Sequence, residues 1–126
     1  MENARIAIFE DREIVRNFLK YLVETKNHQV IAEIASIEQA REFIDSPEAS
    51  LTDVALVDGN LISQEAKSTG YHGGEITRRL KSTLPGVKVI GISASGPIEG
   101  ADKSFIKPDL DGLLGYIDNL PERKTE

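Results

Sequence analysis

Short, uninterrupted apolar runs recur along the chain, and most of them end at a polar residue or a turn residue. A run of this kind is typical of a strand that is buried on both faces, as in a parallel sheet. The clearest example is Val54-Ala55-Leu56-Val57, which leads directly into Asp58 and Gly59. The pattern predicts five strands, at residues 6–9, 30–35, 54–58, 87–92 and 104–106.

Longer amphipathic stretches separate these runs and predict helices. Apolar residues from Ile14 to Val23 follow the 3.6-residue period, with charged residues on the opposite side. Ser36 is expected to cap the second helix, with Gln39 in the capping-box position, and Pro47 follows the end of that helix. The predicted helices cover residues 14–23, 37–44, 75–84 and 110–120.

The alternation of strands and helices predicts an α/β fold. Such a chain forms a parallel sheet with right-handed crossovers and helices on both faces. Two connections lack this periodicity: residues 61–74, which we interpret as a long loop with room for a helical turn at 63–67, and residues 95–101. We expect one domain over residues 4–120 and a polar tail at 121–126.

Composition limits the functions that are open to the chain. A length of 126 residues suits one core, and a net charge of −6 disfavours direct binding to nucleic acid or to an anionic membrane. The absence of cysteine excludes thiol catalysis and thiolate zinc sites, and two histidines are too few for a histidine-rich metal site. No apolar run approaches transmembrane length and the N-terminus does not resemble a signal peptide, so we expect a cytoplasmic protein.

Polar side chains cluster where the predicted strands end. Glu10 and Asp11 follow the first strand, and Asp58 ends the third. Ser93 and Lys107 follow the fourth and fifth strands. Because the C-terminal ends of parallel strands lie along one edge of the sheet, these side chains should converge there. Three neighbouring carboxylates repel one another and need a cation, and Mg²⁺ suits such oxygen ligands.

This arrangement would equip Asp58 to accept a phosphoryl group. Lys107 supplies a positive charge for a phosphoryl oxygen, Ser93 supplies a hydroxyl, and Gly59 lets the backbone approach closely because it has no side chain. Transfer to a carboxylate placed in this way depends mostly on positioning and charge neutralisation. Each residue alone also fits a structural role, such as a turn cap for Asp58 or a helix start for the acidic pair.

Four strand-end motifs occur in a fixed order: Phe9-Glu10-Asp11, Val57-Asp58, Ile92-Ser93-Ala94 and Ile106-Lys107-Pro108. Together they resemble the receiver domains of response regulators in two-component signalling, and the resemblance covers about residues 4–120. It implies a doubly wound, CheY-like (βα)5 fold, with a five-stranded parallel sheet of order 2-1-3-4-5. It also implies phosphorylation of Asp58 by a histidine kinase or a phosphotransfer protein.

The resemblance assigns a role to each site residue. Mg²⁺ would be held by Glu10, Asp11, Asp58 and the backbone carbonyl of Asn60. The phosphoryl oxygens would be bound by Lys107, Ser93 and the backbone amides of Gly59 and Ala94. The bond between Lys107 and Pro108 is expected to be cis. The only chemistry implied is self-phosphorylation and slow autodephosphorylation, so no enzyme activity toward other substrates is expected.

The sequence after Asp58 departs from the family pattern. Ile62 and Ala66 stand where the family usually has proline and glycine, and Gly73-Gly74 follow later. This implies an insertion beside the site, which we interpret either as a flap that carries Tyr71 and His72 over Asp58 or as a surface loop without a role.

The stretch between Ser93 and Lys107 also departs from the pattern. It is shorter than in most receivers, so the fourth helix should be short or missing. Ser104 occupies the place of the aromatic residue that usually moves on phosphorylation. Since a serine cannot fill the space of a ring, we expect a signal to leave through residues 61–74 or 94–103.

Three functions stay open at the level of sequence. The first is a phosphorylated receiver with an unknown output protein. The second is a receiver-like interaction module, with a homodimer among its options, in which phosphorylation has no role. The third is a Mg²⁺-dependent phosphatase, which is disfavoured because position 60 is Asn where that class typically has a second Asp.

Overall fold

A computed structural model describes residues 1–59, 72–94, 96–107 and 109–122. Within them, five parallel strands form one sheet in the order β2-β1-β3-β4-β5. The predicted class and strand order are confirmed, and each strand begins and ends within one residue of its predicted limits. The strands are β1 (Arg5–Phe9), β2 (Gln29–Ile34), β3 (Val54–Asp58), β4 (Lys88–Ser93) and β5 (Lys103–Ile106).

Helices pack on both faces of this sheet. They are α1 (Glu13–Glu24), α2 (Ile37–Ile44), α3 (Gly73–Thr83) and α4 (Leu113–Asp118). The start of α2 is confirmed, because Ser36 Oγ accepts a hydrogen bond from the Gln39 amide at 3.2 Å. The Gln39 side chain in turn accepts one from the Ala35 amide at 2.8 Å. None of the helices in the described ranges is long and apolar enough to span a membrane.

The two faces of the sheet carry separate apolar layers. Neighbouring side chains on a strand point to opposite faces. Ile6 and Ile8 of β1 therefore pack with α1 and α4, whereas Ala7 and Phe9 pack with α2 and α3. Every residue of β3 is buried, as expected of a central strand in a covered parallel sheet.

Three element limits differ from the sequence prediction. α3 begins at Gly73, two residues early, so its first turn includes two glycines that we had assigned to the loop. α4 is shorter than the predicted 110–120, because Gly112 before it has a φ of +87°, which a helix cannot continue. Leu110 and Leu120 still pack in or against the core, which explains the longer apolar period. A short 3-10 helix, Pro47–Leu51, was not predicted.

The connection from β4 to β5 contains no helix among its described residues, 94 and 96–102, as predicted. Ile98 takes the place of an apolar helix face. It is buried and packs against Gly91, where an added Cβ would lie 2.9 Å from Ile98 Cδ1. Ser104 Oγ accepts a hydrogen bond from the Ile98 amide at 3.1 Å. Ile98, whose backbone is fixed by this bond, therefore covers the sheet at Gly91, and Ala101 of the same connection packs against the layer formed with α2 and α3.

The far end of this connection is fixed to β4 and α3. The Asp102 carboxylate accepts a hydrogen bond from the Val89 amide at 2.8 Å and forms an ion pair with Lys81. The Asp102 amide also donates to the Val89 carbonyl at 2.8 Å. These contacts replace the anchoring that a helix would give.

The predicted domain limits, residues 4 and 120, stay a prediction. Residues outside them do contact the fold. Met1 is buried, and the Glu2 amide donates to Glu122 Oε1 at 3.0 Å.

Candidate functional site

Three carboxylates converge at the C-terminal edge of the sheet. Glu10 and Asp11 follow β1, and Asp58 ends β3, which is paired with β1. One carboxylate oxygen from each lies within 4.8 Å of the others. Glu10 and Asp58 are only 1% and 3% exposed, so their negative charge is held largely away from solvent. The structure therefore brings these three predicted residues together.

Lys107 lies between two of these carboxylates. Its ammonium group donates to Glu10 Oε2 at 3.1 Å and to Asp58 Oδ1 at 3.3 Å. Its backbone amide donates to the Ser93 carbonyl at 2.7 Å, which extends the pairing of β4 and β5 by one residue. Lys107, directly after β5, thus places a largely buried positive charge in the acidic cluster, as the sequence predicted.

Burial and charge together change the proton affinity of Asp11. Burial raises the pKa of Asp11 above its ordinary value, and the neighbouring Asp58 carboxylate raises it further. A like charge nearby disfavours the ionised form of a carboxyl group, so the Asp58 carboxylate raises the pKa of Asp11. A divalent cation would relieve the same repulsion.

Ser93 and Gly59 lie side by side next to Asp58. A Cβ added at Gly59 would lie 3.2 Å from Ser93 Oγ, a tight contact that would require the serine hydroxyl to shift by a few tenths of an ångström. A cavity of about 210 Å³ opens beside the two residues, and Gly74, Pro97 and Ile98 also line it. The Gly59 amide donates to the Ile92 carbonyl at 3.2 Å, so its predicted bond to a phosphoryl oxygen stays a prediction.

Several predicted features lie outside the described residues. The Asn60 carbonyl, the residues 61–71 of the predicted flap and the Pro108 peptide bond belong to this group. Ala94, whose amide was assigned to phosphate binding, is described and exposed. The roles of these residues stay predictions.

Gly73, at the start of α3, lies directly against the end of β3. A Cβ on Gly73 would lie 2.6 Å from both the Asp58 carbonyl oxygen and Gly59 Cα, which no larger residue could tolerate. The Gly73 amide donates to the Gly59 carbonyl at 3.3 Å. The sequence flagged this glycine only by its late position, and the contact gives the physical reason for it.

Two arginines at the site were missed at the level of sequence. Arg12 pairs with Glu10 Oε1 through Nε at 3.4 Å, and its backbone amide donates to the same oxygen at 3.2 Å. Arg16 Nη1 donates to the carbonyls of Glu10 and Asp11 at 3.0 and 3.3 Å. The signal in the sequence is their spacing: the two arginines lie one helical turn apart, and the first directly follows the acidic pair.

Solved structures with a similar fold include response regulator receivers. A CheY-like receiver domain protein from Methanospirillum hungatei JF-1 has a TM-score of 0.72 and 22% identity, covering 91% of this chain and 90% of its own. A response regulator from Thermotoga maritima has a TM-score of 0.70 and 21% identity, covering 92% and 95%. A response regulator protein from Burkholderia pseudomallei, solved with a phosphorylated aspartic acid, a calcium ion and citrate, has a TM-score of 0.69 and 16% identity, covering 90% and 64%.

These likenesses establish that the chain has the fold of CheY-like receiver domains. The resemblance that rested on four strand-end motifs is confirmed at this level. No family model matches the sequence, and no curated protein matches it.

The acidic cluster fits a divalent cation. It offers one oxygen from each of three carboxylates within 4.8 Å, two of them buried, and hard oxygen ligands are those that Mg²⁺ prefers. Burial and the neighbouring Asp58 carboxylate raise the pKa of Asp11, and a bound cation would favour its charged form. Glu10, Asp11 and Asp58 are thus the described residues that could hold Mg²⁺.

Proposed function

We propose that the protein is a phosphoacceptor receiver of a two-component phosphorelay, phosphorylated on Asp58 in a Mg²⁺-dependent reaction. The observation that carries this proposal is the position of Lys107 against Asp58 inside a buried acidic cluster. A purely structural ion pair would need one carboxylate, whereas here three carboxylates face the two positive charges of Lys107 and Arg12, which leaves a surplus of negative charge. That surplus suits a site that binds a cation and a phosphoryl group together.

The residues would share the transfer as follows. An Asp58 carboxylate oxygen attacks the phosphorus of a phosphohistidine, and the new O–P bond forms as the N–P bond breaks. The leaving imidazole nitrogen keeps the electron pair of the broken bond. Lys107 and the Ser93 hydroxyl stabilise the phosphoryl oxygens. Mg²⁺, when bound, neutralises charge on the same group.

The phosphoryl group would later leave by hydrolysis. Water attacks the phosphorus, inorganic phosphate departs, and the Asp58 carboxylate is restored. We propose no reaction on any other substrate, so the protein would act as a switch and not as a metabolic enzyme.

A helical surface beside the site supports a protein phosphodonor. Ile14, Phe18 and Tyr21 on α1 are 84%, 52% and 69% exposed, and their spacing places them on one side of the helix. A groove of about 380 Å³ runs from this side of α1 to Lys107 and Leu110. A histidine kinase or phosphotransfer protein that covered these residues would bring its phosphohistidine close to Asp58.

Phosphorylation by a small donor tests the proposal without a partner. With Mg²⁺ and acetyl phosphate, intact-mass spectra of the wild-type protein should show one added phosphoryl group. Asp58→Asn should show none, because an amide is a poor nucleophile, while Asp109→Asn, which alters an exposed acid, should behave as wild type. An adduct on Asp58→Asn, or no adduct on the wild-type protein, would refute the proposal.

The second candidate is an interaction module that does not use phosphorylation. The connection between β4 and β5 favours it, since its described residues form no helix and Ser104 replaces the switch aromatic. The two candidates differ in one measurable respect, because only the first requires the phosphoryl adduct on Asp58.

A further inference from the structure

Arg16 has contacts that phosphoryl transfer itself does not require. Its Nη1 atom donates to the backbone carbonyls of Glu10 and Asp11, at 3.0 and 3.3 Å. The side chain is only 17% exposed, and its Nε lies 3.8 Å from Glu33 Oε1 at the end of β2. Arg16 therefore joins α1, the turn after β1 and the second strand.

We infer that Arg16 is a positioning residue, which holds the Glu10–Asp11 turn so that both carboxylates face Asp58. The inference rests on the cation site of the proposed function. Arg16 binds the carbonyl oxygens of the turn, whereas the cation would be bound by its carboxylates. Its effect on cation binding would therefore come from the geometry of the turn.

The turn needs such a restraint because the sheet fixes only its first residue. The Glu10 amide donates to the Ile34 carbonyl at 2.9 Å, which continues the pairing of β1 with β2. Helix α1 begins at Glu13, so Asp11 belongs neither to the strand nor to the helix. Because Arg16 Nη1 binds the carbonyls of both Glu10 and Asp11, it restricts the backbone conformation of Asp11.

Glu33 fixes the arginine in place. Its carboxylate lies near both Arg16 and Lys20, with Lys20 Nζ at 3.5 Å from Oε2. The two basic residues are one helical turn apart on α1. The guanidinium is therefore held from the β2 side while it binds the turn on the other side.

Arg12 provides a matched comparison on the same helix start. Like Arg16 it carries one positive charge close to the acidic turn, but it pairs directly with the Glu10 carboxylate at 3.4 Å. Its side chain is 61% exposed, and its Nε bonds to a carboxylate oxygen and not to a turn carbonyl. A cation that binds Glu10 must compete with Arg12 for its carboxylate. The same cation would benefit from Arg16, because Arg16 keeps Asp11 in position.

The two arginines should therefore have opposite effects on cation affinity. If charge alone decided the affinity, removing either positive charge would strengthen Mg²⁺ binding. Positioning predicts that Arg16→Met weakens it by about tenfold, the lower end of what outer-shell partners of metal ligands contribute. Arg12→Met should strengthen it by about twofold, because an exposed ion pair is weak.

Calorimetric titration with Mn²⁺ and Mg²⁺, on the full chain, measures both effects without any phosphoryl transfer. Arg16→Lys keeps the charge but cannot present the planar guanidinium, and should weaken binding as Arg16→Met does. Thermal unfolding of each variant, recorded without a cation, sets a titration temperature at which all of them are folded.

Each outcome of these titrations supports or overturns the positioning role of Arg16. Weaker binding in both Arg16 variants with stronger binding in Arg12→Met supports it. Stronger or unchanged binding in Arg16→Met overturns it and leaves the proposed function intact, as does wild-type affinity in Arg16→Lys. No cation binding by the wild-type protein would overturn the inference and the cation site together.

Discussion

The hydroxyl oxygen of Ser104 accepts a hydrogen bond from the backbone amide of Ile98, with 3.1 Å between nitrogen and oxygen. In the receivers that this chain resembles, an aromatic residue at the position of Ser104 moves when the domain is phosphorylated. Here the position carries a small acceptor that ties down the β4–β5 connection, and Ile98 reaches from that connection to the cavity beside Ser93. This chain therefore has a hydrogen-bonded serine where those receivers have a side chain that moves.

Ser104→Ala should release this connection. The loss of one partly buried hydrogen bond should lower the free energy of unfolding by about 1 kcal/mol. Amide exchange should accelerate at Ile98 and change little in β1 and β3. Ser50→Ala, which removes an exposed hydroxyl on the 3-10 helix, is the control, and unchanged exchange at Ile98 would show that the bond to Ser104 does not restrain it.

Amide exchange can also show whether phosphorylation acts through β5, the usual route in the receivers that this chain resembles. With Mg²⁺ and beryllofluoride, a phosphoryl analogue, we expect exchange to change within residues 94–103 or 61–74. A change confined to β5 and α4, with both connections unaffected, would mean that the usual strand-five route survives without its aromatic residue.

Gly91→Ala should destabilise the protein through Ile98. The new Cβ would lie 2.9 Å from Ile98 Cδ1 and 3.0 Å from Ser104 Oγ, so the connection must move. Overpacking of this kind costs about 1–3 kcal/mol. In a double-mutant cycle measured by urea unfolding, Ile98→Ala should recover part of the loss, and strictly additive effects would contradict the contact.

Asp102 should make the stability of the protein depend on pH. Burial alone would raise its pKa, but the bonds from Lys81 and from the Val89 amide outweigh burial and hold the pKa of Asp102 below its ordinary 3.8. A lowered pKa in the folded state gives stability that is complete above the unfolded pKa and is lost as the pH falls through the folded value.

Asp102→Asn should therefore cost about 1.5 kcal/mol at pH 7, a value typical of hydrogen bonds to a charged group. The difference from wild type should shrink below about pH 4, where the wild-type carboxylate becomes protonated. Urea unfolding of both proteins between pH 7 and pH 3 measures this difference. A difference that is the same at every pH would show that the charge of Asp102 contributes nothing.

Lys107→Met should destabilise the protein more without Mg²⁺ than with it. The substitution leaves the buried Glu10 and Asp58 carboxylates without their shared cation, at a cost of about 3 kcal/mol. Mg²⁺ should then raise the melting temperature of the variant more than that of the wild-type protein. Lys103→Met, exposed and at the start of β5, is the control. An equal rise of the melting temperature with Mg²⁺ in all three proteins would show that Lys107 does not interact with the cation site.

The sequence was sufficient for the sheet and for the acidic cluster because both follow from strand order. Once β1 and β3 are neighbours, the residues after Phe9 and Val57 must emerge together, whatever the loops do. Lys107 followed in the same way from the end of β5.

The contacts of Arg16, Ile98 and Gly73 could not be predicted from the same pattern. Each depends on contacts between segments that are distant in the sequence or on a connection without periodicity, and a hydrophobic pattern describes neither. Arg16 looked like a solvent-facing residue on an amphipathic helix, and Ile98 was one apolar residue in a stretch rich in glycine and proline. Only the folded arrangement shows that the first reaches the turn carbonyls and the second covers the sheet.

The contact of Gly73 with Asp58 and Gly59 also bears on how this chain could be altered. Gly59 and Gly73, which flank residues 60–72 in the sequence, are joined by a hydrogen bond, so the two ends of this stretch lie close together. Doubling the length of a loop closed at its base costs only about 0.6 kcal/mol. The site thus has a natural point of insertion, where a peptide or a small sensor domain could be placed beside Asp58 while the sheet keeps its register.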